Sequence, residues 1–351
     1  VFMLGVIVAP TLGPTLGGWI TDNYAWHWVF FINVPIGIAS MILVNGFLRD
    51  PPDQQAHTGS VDWLGIALLT VGVGGMQYVL EEGNAKDWFD DTIIVRMAIL
   101  ATTSLAAMLW WELHPRNTHP VVNFRVLHNR TLSASLFLFV ALGFGLYGGV
   151  FLFPLFAQGI LHFTPTETGL VMLPGGIATG ISALICGALL NGKVPRADPR
   201  LLIACGVILF AASMYIMGNL TTDSGEADVR LALLVRGFGL GLLFVPINAA
   251  AYRSIKPSEA QQASGLINLS RQLGGAFGIA VLANRVNVMA QSHRVDLAAS
   301  VVAGDPLTDA RLQLLTRGFL AKGMDVLHAK SAALAALNGQ LQRQAMMLSY
   351  N

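Results

Sequence analysis

The sequence predicts an all-α, polytopic membrane helix bundle, and three observations carry that prediction. Apolar residues make up 54% of the 351-residue chain and charged residues only 12%, about half the ~25% charge of a soluble domain. Mean hydropathy is +0.59. Apolar runs close to the ~20 residues that a helix needs to cross a hydrocarbon core recur nine times. Most of these runs are apolar all round rather than along one stripe, as suits a helix surrounded by lipid. Strand-type alternation is absent, which argues against a transmembrane barrel.

The predicted spans cover about 2–20, 27–48, 62–82, 93–113, 133–157, 168–191, 201–219, 231–252 and 264–290. Gly and Pro recur inside them, as they do in spanning helices. Basic residues in the connections set the orientation. The connections 49–61, 114–132, 192–200 and 253–263 together hold nine Lys and Arg, and the alternate ones hold two. The nine belong in the cytoplasm, so the first span runs outward and the turn 21–26 faces out. Residues 291–351 carry ten charges and no 20-residue apolar run. By parity they lie outside the cytoplasm. Leu334, Leu337, Leu341 and Leu348 share a helical face there, so an amphipathic helix is expected to end the chain.

Several function classes drop out. A net charge of +1 gives no electrostatic case for nucleic acid. Two cysteines, Cys186 and Cys205, cannot build a disulfide framework or a cysteine-rich metal site. No phosphate loop, His-Glu-x-x-His or Cys-x-x-Cys occurs. The sequence therefore predicts no metal, no cofactor and no enzyme. With ATP-driven pumping unsupported, an ion gradient is the remaining energy source.

Charges at membrane depth are costly and tend to face protein or water. Arg236 lies a few residues inside its span. It is either a structural cation that pairs with carbonyls or snorkels outward, or a cavity-side charge that responds to proton or substrate. Arg271 is open to the same two readings. Asp62 stands at a helix start, where a carboxylate can cap free N–H groups or join a gating ion pair. Asn33, Gln158, Asn248, Asn268 and Gln272 are candidates to line a binding cavity, with interhelical hydrogen bonding as the alternative. Arg96, Arg285, Glu81, Glu82 and His27 read as span-end residues.

Small residues let helices approach closely in lipid. Gly-x-x-x-Gly spacing occurs at Gly13/Gly17, Gly145/Gly149, Gly176/Gly180, Gly237/Gly241 and Gly274/Gly278. The first span is denser still: Gly5-Val-Ile-Val-Ala-Pro10-Thr-Leu-Gly13-Pro14-Thr-Leu-Gly17-Gly18. Two prolines and four glycines there predict a bent helix with a nearly bare face.

That stretch resembles the antiporter motif on the fifth helix of the major facilitator superfamily. Trp28-Val-Phe-Phe-Ile-Asn33-Val-Pro-Ile-Gly37 resembles the start of the sixth. Asp62-Trp-Leu-Gly65, Gln77-Tyr-Val-Leu-Glu-Glu-Gly83 and Asp87-Trp88-Phe89 are similar to the extra central helices of the fourteen-span drug:proton antiporter branch of EmrB/QacA type. Pro154 to Gln158, Gly169 to Pro174, Arg236 to Gly241, Ala263 to Gly275 and Gln344 to Asn351 follow in the same order. The Arg236 run also echoes the fourth-helix arginine motif of that family, as repeated halves would.

The resemblance implies a major facilitator fold, truncated at both ends, in which the nine spans stand for helices five to thirteen. Residues 1–60 would end the N-terminal bundle, 61–115 would be the two extra central spans, 116–290 would make most of the C-terminal bundle, and 291–351 would lead towards a last span. Gly5, Pro10, Gly13, Pro14, Gly17 and Gly18 would seal the contact between bundles. The implied activity is export of amphipathic small molecules, drugs included, in exchange for protons across the inner (plasma) membrane. The lipid bilayer is the partner throughout. In a cell with two membranes, a periplasmic adaptor and an outer-membrane channel join it. An exporter of a dedicated metabolite, siderophore or lipid, or a non-transporting sensor, stays open as the alternative.

Overall fold

Helix ends in a bilayer must bring their own hydrogen-bond partners, because lipid supplies none. This chain places a capping side chain at several of them. The computed structural model describes residues 2–47, 62–115, 117, 122, 124–190, 197–221, 224–253, 255, 260–302 and 304–350, and the side-chain surroundings of 2–12, 125–126 and 261 lie outside that description.

Helix α1 spans Phe2–Asn23, and a short α2 (Trp28–Phe31) runs through Ile32 into α3 (Asn33–Phe47). Then come α4 (Trp63–Glu82), α5 (Thr92–Leu113), α6 (Arg130–Gly159), α7 (Pro165–Leu190), α8 (Pro199–Gly218), α9 (Glu226–Arg253) and α10 (Ala260–Ala299). Asp62, Asp91, Asn129 and Asp198 cap α4, α5, α6 and α8 by accepting from the first free amides. At α7, the Thr164 amide donates to Glu167 Oε2 at 2.8 Å and the Glu167 amide to Thr164 Oγ1 at 3.2 Å. This is a reciprocal capping box. Pro154, Pro174 and Pro246 lie within α6, α7 and α9.

Eight helices among the described residues are long and apolar enough to cross a bilayer, α2 and α3 counting together. The 22-residue α1 stands where the remaining predicted span was placed. The outward faces are apolar, with Phe137, Ile208 and Tyr215 at least 65% exposed. That surface suits lipid and not water.

The bundle is built on pairs, α6 with α10, α7 with α9, α8 with α9, α1 with α7 and α4 with α5. Two clusters fill its two ends. One gathers Leu132, Phe139, Ile247 and Leu266, and the other gathers Phe153, Phe156, Val171 and Leu233. Glycine faces make the closest approaches. A side chain at Gly237 would strike the Gly175 carbonyl, and one at Gly274 would strike the Val140 carbonyl. Gly13, Gly17 and Gly180, by contrast, face open space, so not every Gly-x-x-x-Gly pair packs. The α4–α5 pair leans on α10 through Trp88, Leu80, Ala276 and Ala280, and Asn287 donates to Asn84 across the same joint.

The chain end differs from the expectation. Helix α10 runs on to Ala299, so its 40 residues reach roughly 60 Å at 1.5 Å per residue. Two further helices follow, α11 (Pro306–Ala321) and α12 (Val326–Tyr350). Helix α12 packs back on α10, but of its expected leucine face only Leu337 and Leu341 are even half-buried. Ala329, Ala333, Ala345 and Met347 are buried, while Leu334 and Leu348 are exposed. Close approach of two long helices favours the small side chain over the large one. Cys186 is buried, Cys205 is exposed, and both are free.

Candidate functional site

The bare face of α1 meets the start of α7. A side chain at Gly18 would strike the Pro165 carbonyl, and one at Gly169 would lie 2.6 Å from both the Pro14 carbonyl and Thr15 Cα. Only glycine at these positions lets the two backbones touch. Polar bonds lock the contact. Thr15 Oγ1 donates to the Gly169 carbonyl at 2.8 Å, the Thr166 amide donates to Asp22 Oδ2 at 2.8 Å, and the Thr166 hydroxyl donates to the same oxygen. Of the motif residues, Pro14 and Gly18 are in this contact. Gly13 and Gly17 are not, because no atom lies within 4 Å of a side chain built at either. The surroundings of Gly5 and Pro10 lie outside the described residues.

Beside this contact is a cavity of about 120 Å³ between α6, α7, α9 and α10, lined mostly by apolar groups with Tyr147, Thr179, Arg236 and Arg271. Arg236 is 6% exposed. Because α9 starts at Glu226 and not near residue 231, Arg236 stands about 15 Å along its helix. It is deeper than the sequence reading put it. Its Nη1 has no hydrogen-bond partner. Arg271 enters from the opposite end of the bundle, eleven residues into α10. Its Nη2 donates to Asn268 Oδ1 at 2.9 Å, its guanidinium lies 5.6 Å from the Phe244 ring centroid, and its Nε is unpartnered. Among the described residues, none that is acidic lines the cavity.

The remaining candidates divide. Asn248 is buried and donates to the Phe244 carbonyl of its own helix, so this bond is neither a cavity contact nor the interhelical bond expected as the alternative. Asn268 is exposed and holds Arg271. Asn33, Gln158 and Gln272 are exposed, with Asn33 bonded within its own turn. Sequence reasoning missed Tyr147, Thr179, Thr15 and Thr166. None of them is unusual for a spanning helix, so no local signal singles them out.

Asp62 belongs to a separate cluster. Its carboxylate caps α4 through the Gly65 amide and accepts from the Trp111 indole at 2.9 Å and the Asn117 amide at 2.7 Å. Glu112 is 3% exposed beside it and accepts from the Val122 amide. A side chain at Gly65 would lie 2.7 Å from Asp62 Oδ2 and 2.9 Å from Glu112 Oε1. Burial pushes the Asp62 pKa up, but the bonds from Gly65, Trp111 and Asn117 outweigh it and hold the carboxyl below its ordinary 3.8. Among the described residues no ion pair involves Asp62, so the capping role is the one the geometry supports.

Comparison with known proteins agrees with this architecture. Residues 1–279 match the Major Facilitator Superfamily model. The chain is 34% identical over 275 residues to the multidrug export protein EmrB of Haemophilus influenzae, covering 78% of this chain and 52% of that protein. It is 29% identical over 349 residues to EmrB of Escherichia coli K12, covering 99% and 65%. It is also 32% identical over 278 residues to the fatty acid resistance protein FarB of Neisseria gonorrhoeae, covering 79% and 53%. The chain thus spans about half to two thirds of the length of the curated relatives it matches. Glycine-faced spans, a backbone-to-backbone contact of α1 with α7 and a match over most of the sequence converge on one conclusion: the chain is a multi-pass membrane protein that belongs to the major facilitator superfamily, in its EmrB/QacA-type branch.

Proposed function

We propose that this chain is part of a proton-coupled secondary transporter of the inner membrane that exports small amphipathic molecules, drugs among them, by alternating access. The observation that carries the reading is the α1–α7 contact, backbone on backbone with its hydrogen bonds, at the end of the bundle expected to face out. A contact made largely by backbone and a few short polar side chains can part and re-form with little repacking, which is what a gate between rocking bundles requires. The nearby cavity is mostly apolar with a few polar groups, the character of a small-molecule site. In this reading Pro14 and Gly18 belong to the seal, and Arg236 and Arg271 to the cavity. The relatives named for multidrug export support drugs as cargo. If the cell has an outer membrane, a periplasmic adaptor and an outer-membrane channel would carry the cargo onward.

The reading is tested in proteoliposomes of the intact protein. An imposed pH gradient should drive ethidium transport, and a protonophore should collapse it. Transport that persists without a gradient rejects proton coupling, and binding without transport assigns a sensor instead.

A further inference from the structure

Asp22 stands outside the Gly/Pro motif, at the last residue but one of α1. A carboxylate is out of place there. The C-terminal end of a helix carries partial negative charge and favours cations, while the N-terminal end favours anions. No basic side chain lies in the last turn of α1 to offset the charge. The compensation comes from another helix. Asp22 Oδ2 accepts from the Thr166 amide at 2.8 Å and from the Thr166 hydroxyl, 144 residues further along the chain.

Each amide in the first turn of α7 can be followed to its partner. Pro165 has no N–H. The Glu167 amide donates to Thr164 Oγ1 at 3.2 Å, and the Thr168 amide to the Thr164 carbonyl at 2.9 Å. These bonds lie within α7 and its own cap, so they survive any movement of the helix as a body. Of these amides, only that of Thr166 depends on α1. In α4, α5, α6 and α8 the capping side chain comes from the residue directly before the helix, so movement of a neighbour leaves those caps in place.

The bond is also placed to break. Asp22 is exposed, so water takes the place of Thr166 once the helices part. It lies one turn beyond Gly18 on the same face of α1 and extends the row of contacts that Thr15 makes with Gly169 and Gly18 with Pro165. A residue unfavourable in its own helix and compensated only by a neighbour biases the pair towards the arrangement in which they meet. We propose that Asp22 is a latch: its carboxylate caps α7 from α1 and holds the α1–α7 contact closed at rest, and opening transfers that carboxylate from the Thr166 amide to water. The proposal rests on the gate reading above and names the residue that sets the resting position of the gate.

The test is a distance measurement on the intact protein in phosphatidylcholine nanodiscs, with Cys186→Ser and Cys205→Ser removing the native thiols. Spin labels on Tyr24→Cys, at the end of α1, and Tyr215→Cys, on α8, occupy exposed positions and report the separation by pulsed dipolar EPR. The parent without substrate should show a majority short distance and a minority long one. Asp22→Ala should raise the long-to-short ratio by about fivefold, the equilibrium worth of one helix cap. Asp22→Asn keeps an acceptor oxygen and should raise it less. Thr166→Val removes the hydroxyl and leaves the amide. It should also give a smaller rise, and it decides the matter if Asp22→Ala fails to fold. Thr21→Ala breaks a bond internal to α1 and should leave the ratio unchanged. An equal rise in Thr21→Ala overturns the latch. So do two populations whose ratio is the same in the parent, both Asp22 variants and Thr166→Val, and in that case the gate stands without it. A single distance in every protein, with ethidium and without, overturns the gate reading and the latch together.

Discussion

At the scale of single residues, adjacent glycines play different parts. Gly18 sits under the Pro165 carbonyl, while Gly17 one residue earlier meets nothing. Gly18→Val should therefore force α1 off α7 and abolish ethidium export, with membrane insertion intact. Gly17→Ala should export at close to the parental rate. Equal loss in both would remove the contact as the explanation. The motif was expected to seal the contact as a whole, and of this adjacent pair only Gly18 lies against α7. Asp62 permits a second prediction. Asp62→Ala should lower thermal stability in detergent by about 1 kcal/mol for the lost cap, with a further ~1–3 kcal/mol if the Trp111 indole is left without an acceptor. A carboxyl held below its ordinary 3.8 contributes fully above that pH and loses its contribution as pH falls through the lowered value. The gap between parent and variant should stay constant from neutral pH down to about 4 and close only in stronger acid. A gap that closes near pH 6 would assign the effect to another group.

At the scale of elements, the helices are held by what their glycines and alanines leave out. Helix α9 meets α7 through Gly237 on the Gly175 carbonyl, and α8 through Gly239, whose added side chain would lie 3.0 Å from the Gly206 carbonyl. With no hydrophobic drive between helices in lipid, such close packing does much of the holding. Gly237→Leu should prevent α7 and α9 from closing and yield protein that elutes as aggregate on size exclusion. Gly180→Ala, whose added methyl meets no atom within 4 Å, should elute as the parent does. The α10–α12 pair gives a parallel case. Ala333→Leu should pry α12 from α10 and speed proteolysis of the chain end, whereas Leu334→Ala should leave it protected. If the leucine variant were the labile one, the amphipathic reading of this helix would stand after all.

At the scale of the whole molecule, the arrangement is a contact on one end of the bundle with a cationic cavity beside it. Cysteines replacing Asp22 and Thr166, whose side chains are hydrogen-bonded across the α1–α7 contact, should cross-link on oxidation. Ethidium export should then stop and resume on reduction. Export that continues through the cross-link would show that these helices need not separate.

How much of this was legible beforehand depends on the range of the interaction. Hydropathy and length located the spans to within a few residues, because crossing a bilayer is a local demand that each segment meets by itself. The Thr164–Glu167 box and the aspartate caps are local too, which is why a cap was one of the two readings the sequence offered for Asp62. The polar candidates fared differently. Gln158, Asn33 and Gln272 were polar and near spans, yet they are exposed, since position along a helix does not give the face. The start of α9 was drawn about five residues late because Glu226 and Asp228 read as loop, although acidic residues suit a first helical turn.

The sequence by itself determined that this chain lives in a bilayer, crosses it as helices and carries a family motif in its first span, because solvent and periodicity act residue by residue. Only the tertiary structure decided which glycines touch, that alanines rather than leucines seat α12, and that arginines from opposite ends of the bundle meet at one cavity. Those outcomes depend on how far each helix is rotated and slid against its neighbour, and many side chains set that jointly across distances the linear order does not encode.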